Sequence, residues 1–264
     1  MKQTIFQVDS FTKKAFHGNP AGVMILKEDL EDALMQNIAM EMNLSETAFI
    51  NISEAPFSIR FFTPTSEIEL CGHATLAAAH LLYENKTIAE NERIEFKSKG
   101  GLLKISKETN GIKMVFPAYK IKKTETPKNF KELIGFTPLE VYKCSNEWVI
   151  AIAENEKDIK DAKPIFSRMI ENGLGHLMIT ALSERDPIDF VVRCFVTIFG
   201  IDEDPVTGSA QCGLVPVWNL RTGKSEFIAE QISERTGQLH VKLVDDTVEI
   251  IGNAVTIFEA QINL

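Results

Sequence analysis

Two hydrophobic rhythms run along the chain. Apolar residues recur at every second position near 3–8, 47–52, 57–63, 93–98, 101–107 and 112–117, which predicts strands, and "VMIL" (23–26) adds another. The spacing over 28–42 is helical and amphipathic. A third kind of segment interrupts these: "ATLAAAHLLY" is apolar on nearly every face, and such a helix needs cover on all sides. It is read as the body of a helix over 72–84, with the strands that flank it in sequence as its wrapper, closed or nearly closed into a barrel.

The second half repeats this plan. Strands are expected near 139–144, 147–153, 175–182 and 189–197, with a charged helix near 155–163 and a short one near 166–172. A helix then follows "TGSA", and further strands run to Leu264. Laying "RFFTPTSEIELCGHATLAAA" (60–79) over "RCFVTIFGIDEDPVTGSAQCG" (193–213) places Arg60 on Arg193, an offset of 133, and Gly72 on Gly208, an offset of 136. The second copy therefore carries three extra residues, and the repeat implies two similar domains. The expected division is 1–118, with its central helix at 72–84, and 129–264, with its central helix at 208–221. The last strand is free to pack on the first domain, and "YKIKKTETPKNF" (119–130) reads as the linker. The fold class is α+β.

Composition narrows the function. At 264 residues, 44% apolar and 25% charged, the chain reads as a soluble globular protein. Its net charge of −9, with basic residues scattered except for clusters such as "KIKK" at 120–123, argues against nucleic acid or an anionic membrane as partner. The N-terminus alternates like a strand and has no apolar signal region, and Cys71, Cys144, Cys194 and Cys212 show no CxxC or metal-finger spacing. Reduced thiols in a cytoplasm are expected. No P-loop, Rossmann fingerprint, nucleophile elbow or HExxH occurs, so no cofactor and no metal are expected.

Four stretches could carry chemistry. In "EDPVTGSA" (203–210) two acids precede a helix start made of small and hydroxyl residues. Such a start exposes backbone N–H groups and the positive end of the helix dipole to an anion, although a plain cap by Asp204 or Thr207, with Gly208 as a turn residue, is the commoner use of such a motif. In "LCGHAT" (70–75), Cys71, Gly72 and His73 occupy the places of Thr207, Gly208 and Ser209. A thiol there has a lowered pKa or is simply a small buried group, and a histidine there can exchange protons. In "MNLSETAFI" (42–50), Glu46 stands at a strand start, either as a solvated acid or as a general acid–base. In "FHGNPAGV" (16–23), preceded by "DSF", a turn presents the Asn19 amide. His80 reads as a core histidine, and His176 and His240 belong to no constellation.

Together and in this order, "VDSFTKKAFHGNPAGV", "MNLSETAFI", "FFTPTSEIELCGHATLAAAHLL" and "GIDEDPVTGSAQCGL" resemble the PhzF family, the phenazine-biosynthesis-like isomerases related to diaminopimelate epimerase. The resemblance spans almost the whole chain. It implies two barrel-like domains, each around a central helix, an active site in the cleft between them, a homodimer, and proton transfer without metal or organic cofactor on a small carboxylate-bearing substrate. By matching motif, Glu46 is the proton shuttle. His73, Asp204 and Ser209 position the substrate and assist, while Asn19, Cys71, Gly72, Thr207 and Gly208 bind it. The sequence departs from the family where Gln211 stands for a histidine, where "FVT" occupies 195–197, and in "AEQISERTGQL" (229–239). An amino-acid epimerase using Cys71, with Cys212 near in sequence to the other helix start, is the alternative, as is a ligand-binding member without catalysis.

Overall fold

The computed structural model describes residues 2–264. They form an α+β architecture of two compact units, residues 2–115 with 251–264, and Phe116–Ile250. Among the described residues no helix is long and apolar enough to cross a membrane.

The first unit contains β1 (Lys2–Ser10), β2 (Asn19–Leu26), α1 (Asp32–Met42), β3 (Glu46–Asn51), β4 (Phe57–Phe62) and β5 (Glu67–Ile68). It continues with α2 (Gly72–Glu84), β6 (Ile94–Ser98), β7 (Gly101–Glu108), the start of β8 (Gly111–Pro117) and β18 (Ala254–Asn263). β1 lies antiparallel between β18 and β2, and β2 runs parallel to β3. β3 pairs antiparallel with β4, which is antiparallel to β5 and parallel to β6; β6, β7 and β8 then form a meander. Strands β1, β2, β3 and β18 surround α2. From His73 to Tyr83 every residue of α2 except His80 is buried, which is what an all-round apolar helix requires. Leu76, Leu81 and Leu82 are wholly inaccessible, and each contributes roughly 1.5–3 kcal/mol through burial. A second cluster packs Met35, Ile38 and Ala39 of α1 on Ile5, Met24, Leu26, Phe49 and Phe62.

The second unit contains β9 (Ile121–Thr124), α3 (Phe130–Ile134), β10 (Glu140–Cys144), β11 (Val149–Ile152), α4 (Glu156–Asp161), β12 (Leu177–Leu182) and β13 (Phe190–Val196). After these come β14 (Ile201–Asp204), α5 (Gln211–Thr222), β15 (Glu226–Gln231), β16 (Gly237–Val244) and β17 (Thr247–Gly252). Its pairing repeats the first unit. β11 is parallel to β12, β12 antiparallel to β13, β13 antiparallel to β14 and parallel to β15, and β15 antiparallel to β16.

The repeat extends to side chains. Arg60 grips Glu67 with Nε and Nη2, both at 2.8 Å, and Arg193 grips Glu203 the same way at 2.8 and 2.7 Å. Each guanidinium also lies 5.1 Å from a phenyl centroid, Phe62 in one unit and Phe195 in the other. Both clamps tie a strand to the short strand that returns beside it, just ahead of a central helix.

Three segments differ from the sequence reading. Residues 121–124, inside the expected linker, form β9 and pair with β10; Lys122, Lys123 and Thr124 are all exposed, so no apolar alternation marks the strand. Residues 166–172 make two single 3₁₀ turns rather than one helix. Regular helix α5 begins at Gln211, not at Gly208, because the chain first passes through tight turns that bond Gln211 N–H to Gly208 and Cys212 N–H to Ser209.

α5 also accommodates a proline. Pro216 has no N–H, so the Cys212 carbonyl loses its helical donor. The backbone N–H of Tyr119 replaces it at 2.8 Å. Gly213, one residue on, has no room for a methyl group: a Cβ there would stand 2.8 Å from the Cys144 sulfur and 3.2 Å from Ile150 Cδ1.

Two outcomes follow. Gly213→Ala is expected to lower stability in urea unfolding by about 1–3 kcal/mol through overpacking, although alanine is the better helix former by about 1 kcal/mol; Cys144→Ala should recover part of that loss. The Arg60 hydrogen bonds, against an opposing effect of burial, hold the Glu67 carboxyl at about 2, below its ordinary 4.5. A depressed carboxyl stabilises the fold above pH 4.5, and the contribution disappears as pH falls towards 2. Glu67→Gln should therefore shrink the acid loss of stability over that window while leaving its onset, shared with Glu140 and Glu156, in place.

Candidate active site

In the first unit, four chain segments end at one place. Glu46 is the first residue of β3 and stands in register with Ala21 of the parallel β2. Ser10, the last residue of β1, pairs with Asn19, the first of β2. The Ser10 hydroxyl donates to the His73 carbonyl at 2.7 Å, tying the β1 end to the start of α2. Thr75 Oγ1 donates to the Cys71 carbonyl at 2.6 Å and fixes the first turn of that helix.

This scaffold brings together three of the residues singled out from the sequence. His73 Nε2 lies 3.2 Å from Glu46 Oε2, and His73 Nδ1 lies 3.5 Å from Cys71 Sγ. All three are largely withdrawn from water, with side-chain exposures of 8% for His73 and 16% for Glu46 and a residue exposure of 6% for Cys71. Gly72 sits between the thiol and the imidazole as the first residue of α2. Asn19 is wholly buried, and it belongs to β2 rather than to a turn; the turn falls at Gly18, whose φ is +69°.

Burial works against a charged imidazole, but the Cys71 thiol and the Glu46 carboxylate favour it, and the net effect raises the His73 pKa well above the usual histidine value. Burial also pushes the Cys71 thiol up, contrary to the lowered value expected for a helix start. The arrangement places the Glu46 carboxylate 3.2 Å from the His73 imidazole, with the Cys71 thiol on its other side. Because the histidine pKa is raised, the pair stabilises the fold fully below the ordinary histidine value and loses that contribution as pH rises through the shifted one.

The second unit builds its equivalent helix start from other groups. Thr207 Oγ1 donates to Asp204 Oδ2, and the Thr207 N–H donates to Gln231 Oε1 at 2.9 Å. Gln231 Nε2 donates in turn to the Asp204 carbonyl at 2.6 Å, and Ser233 Oγ to the Pro205 carbonyl at 2.6 Å. Thr207 and Gly208 are buried while Ser209 is exposed, so the hydroxyl of Ser209 is the accessible group of the turn. Gln211, the first residue of α5, is wholly buried with neither polar atom of its carboxamide hydrogen-bonded, an arrangement that costs about 1–3 kcal/mol. Cys212 is buried with its thiol raised to about 12, chiefly by burial.

Sequence reasoning missed Ser10, Gln231 and Tyr119. Ser10 lay inside the quoted "DSF" but had no partner legible at a distance of 63 residues. Gln231 sits in an ordinary strand pattern, and nothing local marks it. Tyr119 fell in the segment read as a linker.

The first unit thus pairs a carboxylate with a histidine at the start of its buried helix, and the second unit carries a hydroxyl-bearing turn ahead of its own. The comparisons agree on the class: this is an isomerase with a diaminopimelate-epimerase-like fold. The chain belongs to the phenazine biosynthesis-like (PhzC-PhzF) family, whose model matches residues 8–260. It is 40% identical, over the full length of both chains, to an uncharacterized isomerase of Halalkalibacterium halodurans. Among solved structures it resembles a PhzF-family protein of Enterococcus faecalis, with TM-score 0.95, 34% identity and complete coverage of both chains. It also resembles a putative PhzC/PhzF protein of Clostridium difficile, with TM-score 0.89, 36% identity, and 99% and 100% coverage.

Glu46, Cys71 and His73 present one ligand atom each within 4.8 Å of one another, so the same three residues could hold a metal ion. Binding a cation there requires the thiol and the imidazolium to lose their protons, and both are held above their ordinary values. That cost weakens metal affinity at neutral pH. Metal analysis of protein purified at pH 7 is therefore expected to find zinc far below one per chain; about one zinc per chain would replace the acid–base reading with a metal-centred one.

Proposed function

We propose that the protein is a cofactor-independent isomerase that moves a proton on a small carboxylate-bearing substrate. The observation that supports this most directly is the Glu46–His73 pair, with its 3.2 Å contact in a nearly dry setting. A buried carboxylate next to a fixed cation is placed to accept a proton from carbon and return it elsewhere on the same molecule. In such a step the C–H electron pair enters the conjugated system of the substrate while the proton joins Glu46. The Glu46 O–H then delivers it to a second carbon as the double bond shifts, and nothing is oxidised or reduced.

Negative charge builds up on the substrate between these two events. The helix starts at Gly72 and Thr207–Ser209, with Asp204 fixing the second turn, carry the donors that stabilise it, at about 10²–10³-fold in rate for each well-placed donor. Glu46 is the shuttle in this reading, and His73 keeps it oriented. Asp204 and Ser209 position the substrate. Asn19, Cys71, Gly72, Thr207 and Gly208 bind it. The protein acts as a homodimer in the cytoplasm.

The test compares Glu46→Gln and Cys71→Ser on a turned-over carboxylate in D₂O, following solvent deuterium entering the substrate by NMR. Glu46→Gln keeps shape and hydrogen bonding but cannot take the proton, so exchange should fall by about 10²–10⁴-fold, with substrate binding preserved. Cys71→Ser should cost far less. The reverse order would assign the chemistry to the thiol and favour an epimerase, and normal exchange in both variants would favour a non-catalytic binding protein.

A further inference from the structure

Gln231 closes β15 with its backbone fixed on both sides, in register with Val192 of the parallel β13 and opposite Gly237 of the antiparallel β16. Its side chain is wholly buried, and a carboxamide offers two N–H donors and an oxygen with two lone pairs. All four are used. Oε1 accepts from the Thr207 N–H at 2.9 Å and from the Cys194 thiol at 3.5 Å. Nε2 donates to the Asp204 carbonyl at 2.6 Å and to Thr207 Oγ1 at 3.3 Å. The orientation of the amide is unambiguous, because the Thr207 N–H only donates and the Asp204 carbonyl only accepts.

Two of these bonds, to the Asp204 carbonyl and from the Thr207 N–H, are enough to tie the turn to the strand end. The bond to Thr207 Oγ1 has a further consequence. A threonine hydroxyl has one proton to give; with its oxygen taking the amide N–H, that proton turns to Asp204 Oδ2, to which it donates. Chains of hydrogen bonds polarise one another, so the amide also makes the hydroxyl a stronger donor. Asp204 is thus held twice, its carbonyl by Gln231 directly and its carboxylate through Thr207. We infer that Gln231 is a positioning residue for the substrate: by holding the Thr207 hydroxyl it aims the half-buried Asp204 carboxylate at an O–H or N–H of the bound molecule. The inference rests on the reading of Asp204 as a substrate-positioning group, and it extends the site to a residue outside the four motif stretches.

Calorimetric binding of 3-hydroxybenzoate and benzoate to the full chain tests the inference, since the two probes share a ring and a carboxylate and differ by one O–H. The unmodified protein should prefer 3-hydroxybenzoate about tenfold, the scale of one hydrogen bond to a charged group, and Asp204→Ala should abolish the preference. Gln231→Met and Thr207→Val should each lose most of it with benzoate affinity unchanged, Thr207→Ser should keep it, and Gln231→Met with Thr207→Val should lose no more than the larger single loss, because the two groups act as one chain. A merely structural Gln231 would weaken both probes alike and leave their ratio intact. Gln231→Met strips two backbone groups of their partner and should lower the melting temperature. Thr207→Val keeps both of those bonds and removes only the link to the carboxylate, so an intact preference there overturns the inference even if Gln231→Met does not fold. An unchanged ratio in Gln231→Met, or a double loss equal to the product of the singles, also overturns it. If the unmodified protein has no preference, the reading of Asp204 fails and the inference with it; if Asp204→Ala loses the preference and Gln231→Met keeps it, the inference alone fails.

Discussion

The structure turns on holding the Glu46 carboxylate and the His73 imidazole together almost out of water. An isolated charge in that setting is costly, and the pair is stable only because each partner neutralises the other and the backbone holds both at one distance. Everything nearby serves that constraint. β3 begins at Glu46, α2 begins one residue before His73, and the Ser10 hydroxyl locks the His73 carbonyl to the end of β1. The apolar faces of α2 are then consumed by burial, which fixes the helix along its axis and with it the imidazole. The chemistry proposed for Glu46 depends on this rigidity, since a base that swings free would neither keep its proton acceptor aimed nor keep water out.

The two units solve the same mechanical problem and have diverged in chemistry. Each carries an arginine–glutamate clamp over a phenylalanine ahead of its central helix. At the helix start itself one copy has a thiol and an imidazole, and the other has two hydroxyls around a glycine. In the proposed reading acid–base work and anion holding are thereby separated, and a thiol-for-thiol mechanism lacks its second member, since Thr207 occupies the place of Cys71 and the nearby Cys212 thiol is buried and pushed up to about 12.

Much of this was legible in the sequence because it is written in local patterns. The all-round apolar run of α2, the alternation of the strands, and the repeat with its three-residue insertion each depend on neighbours a few positions apart. Glu46, Cys71 and His73 were legible as members of motifs, and the structure brings them to one place in the first unit. What stayed hidden depends on distant partners. The link from Tyr119 to Cys212 exists only because a proline four residues further along α5 frees a carbonyl, and the brace from Gln231 to Asp204 and Thr207 crosses more than twenty positions. The lysines of β9 mask a strand because they sit at consecutive exposed positions and leave no apolar alternation to read, and the tight turns before Gln211 delay a helix that composition alone starts at Gly208.

The central claim is that the Glu46 carboxylate keeps His73 charged in the folded protein. Nitrogen-detected NMR of the histidine side chains across a pH series reads this directly, with His73 assigned through its absence in a His73→Gln variant. The account predicts that the His73 ring keeps both protons well above the pH at which an exposed histidine such as one in the unfolded chain loses one, and that Glu46→Gln moves its titration down to the ordinary value or below, as burial without a counter-charge requires. A His73 ring already neutral at pH 7, with a titration indifferent to Glu46→Gln, would contradict it.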